Sequence, residues 1–428
     1  MILRAALLTV GLLLIGSIVM AQEDGNRTTL SPELQNEIDL IEQITETLRR
    51  LEQFESVPVY FPTKDELEAF LIGELDSYYT PEQTAEEMAF YVAFDFLSPD
   101  YALRDGLLEL YTGQVGGFYL PETKTMNVIL LSGDRPDTHL PLLERIIYAH
   151  EYVHALQDQH FDLSTYEDDV ENDPNDDRAM ALQALIEGDA AAIQNEYMRR
   201  STEANPLGAM IELGSGVLQS NSMMSFPPGT PDILGATLLF PYLSGERFVV
   251  ALYEEGGWDA VNAAYANPPV STEQILHPET YLNGEEAISV EIPDKSDQLG
   301  EEWVLARSGV LGEYYLRQWL QTQSFTAQSI REAAAGWGGD AYRIYRNADQ
   351  DYAWQMSIVW DTPQDAQEFS QKFEEWVQVR LPDPVGEGMG FFRCWTADQI
   401  FCIRLDAAVV TDVMFAPSYE AAEILMTD

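Results

Sequence analysis

Five consecutive residues, His150-Glu151-Tyr152-Val153-His154, carry the strongest chemical signal in the chain. On a helix, histidines four apart fall on one face, about 40° apart around the axis. Both imidazoles can then reach a single zinc ion. Glu151 projects beside them, placed to take a proton from a zinc-bound water and pass it to a leaving amine. Ala149, Tyr152, Val153, Ala155 and Leu156 are uncharged, as expected of a helix buried under a cleft. A His pair on such a helix is costly without a partner, and a metal supplies one. The chain contains only five His, so the spacing is a poor candidate for coincidence.

A hydrolytic zinc needs a third protein ligand and an open position. His160 turns away from the metal face if the helix continues. A carboxylate on a following helix is the better source, and Glu187 fits. It stands in Ala184-Leu185-Ile186-Glu187-Gly188-Asp189-Ala190-Ala191, where an acid among small and apolar residues is expensive unless paired or metal-bound. The Gly and Ala neighbours would let this helix approach the first one closely. Glu196 and Glu171 are weaker alternatives. The expectation is one Zn2+ per chain on His150, His154 and Glu187.

The segments that must hold these residues read as helices over Leu140–His160 and Asp177–Arg200, the latter with acids at its start and Arg199-Arg200 at its end, which complements the helix dipole. Ahead of them, Val115–Leu120 and Thr125–Leu131 are β-like, joined by the turn residues Pro121 to Lys124. Ser31–Phe54, Lys64–Leu75, Pro81–Leu97 and Asp100–Tyr111 read as helices. The acidic run Glu167–Asp177 reads as a solvated loop rather than a calcium site. Pro206 to Gly257 is apolar and helical, broken at Pro227 to Pro231, with no uninterrupted run long enough for a membrane span. Beyond Gly336, strands alternate with one helix, Pro363–Val379. The fold class is therefore α+β: a mostly helical core with a small upstream hairpin, plus an antiparallel C-terminal α+β domain. The expected blocks are 1–21, 22–112 (helical), 113–335 (site-bearing) and 336–428.

The motif followed by Glu187, 33 residues after His154, resembles the gluzincin branch of the zincin metallopeptidases, to which thermolysin belongs. The resemblance is specific over about Val115 to Arg200. It implies His150, His154 and Glu187 as ligands, Glu151 as general base, and an edge strand, here Thr125–Leu131, that takes an extended substrate by strand addition. It also implies a downstream His and Tyr as oxyanion donors, for which His277 and Tyr281 are the candidates. One departure is that Ala191 stands where gluzincins often place an Asp, so Asp189 or Asp158 would have to orient a ligand His instead. More broadly, His154 to Gln159, Ser271 to Pro278 and Gly336 to Asp340 resemble stretches of uncharacterised exported bacterial proteins.

Composition sets the environment. There are 72 acidic against 23 basic residues, a net charge of −49, which repels nucleic acid and anionic membranes. A run of apolar residues from Ala5 to Met20, ending at Ala21, reads as a secretory signal peptide, or an N-terminal membrane anchor if uncleaved. Cys394 and Cys402 lie symmetrically about Asp398, so a hairpin turning there would set them opposite each other; a disulfide and two buried thiols are both open. Together these features describe an exported zinc-dependent metallopeptidase with a peptide or protein substrate. The alternatives are a zinc hydrolase of a cell-wall amide, and a binding or scaffold protein with a vestigial site.

Overall fold

Ser31 begins the first helix by accepting a hydrogen bond from Leu34 N at 3.1 Å, the usual way to satisfy an orphan amide of the first turn. From there a computed structural model describes residues 30–131, 133, 135–166, 175–219, 226–406 and 408–427. The apolar N-terminal segment and most of the acidic run after Tyr166, Glu171 included, lie outside the described residues. The helices are α1 Pro32–Arg49, α2 Lys64–Tyr78, α3 Pro81–Ala93, α4 Leu103–Gln114, α5 Leu142–Phe161, α6 Asp176–Ala204, α7 Pro206–Gln219 and α8 Asp232–Ala266. Then follow α9 Thr272–Leu276, α10 Pro278–Leu282, α11 Ser296–Leu299, α12 Gly312–Gln321, α13 Ala327–Ala334, α14 Pro363–Arg380 and α15 Tyr419–Leu425. The strands are β1 Val59–Tyr60, β2 Gly117–Leu120, β3 Thr125–Val128, β4 Val304–Gly309, β5 Trp337–Arg346, β6 Tyr352–Trp360, β7 Val385–Met389, β8 Phe392–Thr396, β9 Ile400–Asp406 and β10 Val410–Ala416.

The chain is α+β, and it divides into two compact units that interleave in sequence. The first comprises residues up to Thr80, Ala102–Asp173 and Ala179–Pro269; the second comprises Pro81–Tyr101, Pro174–Arg178 and Val270 onward. The second therefore takes in β4, α12 and α13 as well as the expected C-terminal segment.

In the first unit, α5 is buried on every side from Tyr148 to Gln157. A helix with no polar face belongs in a core, and here α1, β2, β3 and α7 pack around it. Tyr148 and Tyr152 donate to Glu42 and Glu46 of α1 at 2.6 and 3.0 Å, so α1 is bonded along the motif helix as well as packed on it. The small sheet runs β1-β3-β2, with β1 parallel and β2 antiparallel to β3. This corrects the expected edge: Thr125–Val128 is the central strand, because the two-residue β1 covers its far side. The outer strands are the two-residue β1 and Gly117–Leu120, which leaves β2 as the longer edge. Helix α8 is long and apolar enough, by length and composition, to cross a membrane, against the sequence expectation; 56% of its most apolar stretch is buried inside the protein.

The second unit is built on a seven-stranded antiparallel sheet in the order β4-β5-β6-β10-β9-β8-β7. Helix α14 opens with a capping box between Thr362 and Asp365 and packs over β6, β9 and β10. The β8–β9 hairpin pairs Cys394 with Cys402, and the two form a disulfide.

Candidate metal centre

The middle of α5 brings His150, Glu151 and His154 to the floor of one buried locus, and α6 adds Glu187; all four are at most 4% exposed. His150 Nε2 lies 3.1 Å from His154 Nε2 and 3.2 Å from Glu187 Oε2. His154 Nε2 lies 3.5 Å from the same oxygen. Ligands about 2.0–2.1 Å from a tetrahedral zinc stand about 3.3–3.4 Å from one another. The three atoms therefore sit as three corners of such a tetrahedron. They are the only His/Cys/Asp/Glu group among the described residues with metal-ligand spacing.

The hydrogen bonds around His154 fix its tautomer. Gln157 Nε2 donates to Ile186 O at 3.0 Å and to Asp189 Oδ2 at 3.2 Å. Its Oε1 is left facing His154 Nδ1 at 2.8 Å. An amide oxygen only accepts, so Nδ1 carries a proton and Nε2 is the nitrogen left to a metal. Asp189 is held in turn by Arg49 Nε at 2.6 Å and the Tyr265 hydroxyl at 2.8 Å, and the Arg49 guanidinium lies over Trp258 at 4.5 Å. Thus Asp189 supports a ligand His, but through Gln157. The sequence reading missed that intermediary, although Gln157 sits three residues past His154 on the same helix face. Asp158 instead accepts from Tyr119 at 2.8 Å.

Charge in the cluster is balanced internally. Burial pushes the Glu187 carboxyl up, but the two imidazoles outweigh it and hold it down at about 2. Burial lowers His154, yet Glu187 and Glu151 carry it up to about 9. His150 is lowered, chiefly by burial. Burial pushes Glu151 up to about 8, with His154 opposing. One Glu151 oxygen, Oε2, is buried with no hydrogen-bond partner.

Two close approaches shape the site. A Cβ on Gly188 would stand 2.1 Å from Gly245 C, and one on Gly245 would stand 2.0 Å from Ala184 O. The small residues of α6 thus serve its crossing with α8, whereas the sequence had assigned them to α5. That crossing brings in Tyr242, whose hydroxyl is hydrogen-bonded to Glu187 and whose ring lies 5.8 Å from that of His150. Tyr242 was not foreseen; the available signal was Gly245, one turn further along the same helix. On the other side, a Cβ on Gly117 would stand 2.8 Å from Glu151 Cγ, so the free-edge strand β2 lies with its backbone against the acid.

The other expected residues fall elsewhere. His277 and Tyr281 belong to the second unit, where His277 Nε2 faces Glu313 Oε1 at 3.2 Å. Glu196 is paired with Arg199 and Arg200. His139 pairs with Glu37, and His160 bonds the Glu52 carbonyl at 2.8 Å.

A family model described as a domain of unknown function, DUF8575, matches residues 302–426, wholly within the second unit. No curated protein and no solved structure matches the chain.

Proposed function

We propose that the chain is an exported zinc metallopeptidase of the zincin type, acting on peptide or protein substrates. The observation that carries this reading is the convergence of His150 Nε2, His154 Nε2 and Glu187 Oε2 at tetrahedral spacing beside an unpartnered Glu151 oxygen. The donor set, two imidazoles and one carboxylate, suits a catalytic zinc with one position open. Zinc held there would supply Lewis-acid chemistry, polarising a carbonyl and making water acidic near neutral pH.

The remaining work falls to the chain's own residues. Glu151 accepts a proton at its free oxygen and delivers it to the departing amine. Gln157 keeps His154 in the tautomer whose Nε2 is a ligand. Tyr242, which stands in the same unit as the triad, is the candidate donor to developing negative charge. The free edge of β2 favours a peptide over other amides: an extended chain pairing there would run past Glu151 without meeting a side chain at Gly117. Export is supported by the N-terminal apolar segment and by the Cys394–Cys402 disulfide.

The test is a peptide-library digest by the wild type and by Glu151→Gln, side by side. The expected result is cleavage by the wild type alone, with zinc retained in both. Cleavage by both removes Glu151 from its role, and cleavage by neither, with zinc bound, removes peptides as the substrate.

A further inference from the structure

One end of the seven-stranded sheet carries a cavity that the zinc chemistry does not use. Antiparallel pairing brings the start of β6, the end of β10 and the start of β9 to that end, with Phe415 in register with both Trp354 and Phe401. The turns that lead into β6 and β9, the end of α14 and the segment after α3 close around them. Trp354 fastens the α3 side by donating its Nε1 to Ala93 O at 2.9 Å. The cavity measures about 270 Å³, just short of the ~300 Å³ at which drug-sized ligand sites begin, so its occupant is small. Its whole lining belongs to the second unit, and all of it except the α3 side lies within the stretch that the family model matches.

The polar wall is fixed in place. Arg380, the last residue of α14, donates from Nε and Nη2 to the two oxygens of Asp95 at 2.5 and 3.0 Å, and from Nη2 to Gln399 Oε1 at 3.4 Å. This two-pronged pair offsets both charges and sets the plane of the guanidinium. Arg380 Nη1 makes no hydrogen bond among the described residues, and neither do the Gln399 amide nitrogen, the Gln350 side chain and the Tyr352 hydroxyl. Asp351 accepts from Asn347 Nδ2 at 3.1 Å through Oδ2, and its Oδ1 has no such partner. Asp95 has φ +58 and Gln350 has φ +67, a region uncommon outside glycine, and residues held in such conformations cluster at ligand sites. Phe401 and Phe415, with ring centroids 4.9 Å apart, supply an apolar wall.

The charges decide what fits. An anion would meet Asp95 and Asp351, and the arginine is already paired. A compact metal ion would find no three ligand atoms at the required spacing. What the wall leaves open is chiefly amides and a phenol, groups that both donate and accept. A sugar hydroxyl also donates and accepts, and the C–H face of a sugar ring is apolar. We propose that this cavity binds one ring of an uncharged carbohydrate, with Arg380, Gln399, Gln350 and Tyr352 bonding its hydroxyls and the phenylalanine wall meeting its C–H face. The site lies in the second unit alone, so it stands or falls independently of the zinc reading.

The test is calorimetric titration of the purified full chain with glucose, galactose and N-acetylglucosamine as uncharged probes, and with glucuronic acid, glucosamine and alanine as anionic, cationic and zwitterionic ones. Saturable binding of at least one uncharged sugar is expected, with Kd about 1 mM or tighter, and tighter than that of any charged probe. Gln399→Ala spares the Arg380–Asp95 pair and should weaken binding about tenfold, the loss expected for one or two hydrogen bonds. Gln350→Gly, which suits the left-handed turn, should weaken it to a similar extent. A folded wild-type chain that binds none of the three uncharged sugars overturns the proposal. Tighter binding of a charged probe, or sugar binding unchanged in both folded variants, overturns it too.

Discussion

The two buried polar clusters of this chain solve opposite problems. Around α5, two imidazoles face two carboxylates, and two of the three ligand groups are held by further bonds: His154 by Gln157 and Glu187 by Tyr242. Around α12, carboxylates predominate, and the structure satisfies Asp177 and Asp340 with backbone amides, Thr272 and Trp337, leaving one oxygen of Glu313 buried without a partner. The contrast shows what buried charge can signify. Lone pairs that converge at about 3.3 Å ask for a small metal ion. Like charges that do not converge favour protonation.

The comparison can be broken first on the α5 side, where the largest effect is expected. Gln157→Leu removes the acceptor that holds His154 in its ligand tautomer, and zinc affinity should fall about 10- to 100-fold in chelator competition. Unchanged affinity would mean that Gln157 merely fills space. A smaller effect is expected from Gly117→Ala. The added methyl would sit 2.8 Å from Glu151 Cγ, so either β2 or the acid must shift. Turnover should drop about tenfold through kcat with zinc content unchanged. Wild-type kcat in that variant would show that β2 tolerates the shift without consequence for Glu151.

The smallest effect sharpens the α12 side. Burial pushes Asp177 from its ordinary 3.8 up to about 7, with Asp340 and Glu313 adding to it and Thr272 opposing. Its folded-state pKa exceeds the unfolded one, so the folded chain holds this proton more tightly. That contribution to stability is complete below about pH 3.8 and is lost as pH rises to about 7. In Asp177→Asn, the decline of unfolding free energy across that window should become shallower, as read by denaturant titrations at several pH values. Identical slopes in the two proteins would remove Asp177 from the account.

What was legible in the sequence was whatever depends on short spacing. His150 and His154 declare themselves by their four-residue separation, and Glu187 by its misfit among Ala and Gly. The β8–β9 hairpin followed from the symmetry of the two Cys about Asp398. What was not legible depends on contacts distant in the chain. Arg49 meets Asp189 across 140 residues, and no local pattern marks either as a partner. Tyr242 reaches Glu187 only because Gly188 and Gly245 let two helices cross at backbone distance. The edge of the small sheet was misassigned because the strand that covers β3 is two residues long, too short for any periodicity to show.

The central claim is that His150, His154 and Glu187 hold one zinc ion. Elemental analysis of the purified chain, made with zinc supplied, tests it most directly, alongside His154→Ala and Glu187→Ala. The account predicts one zinc per wild-type chain and near none in either variant. A wild-type chain without zinc, or variants that keep a full equivalent, would contradict it.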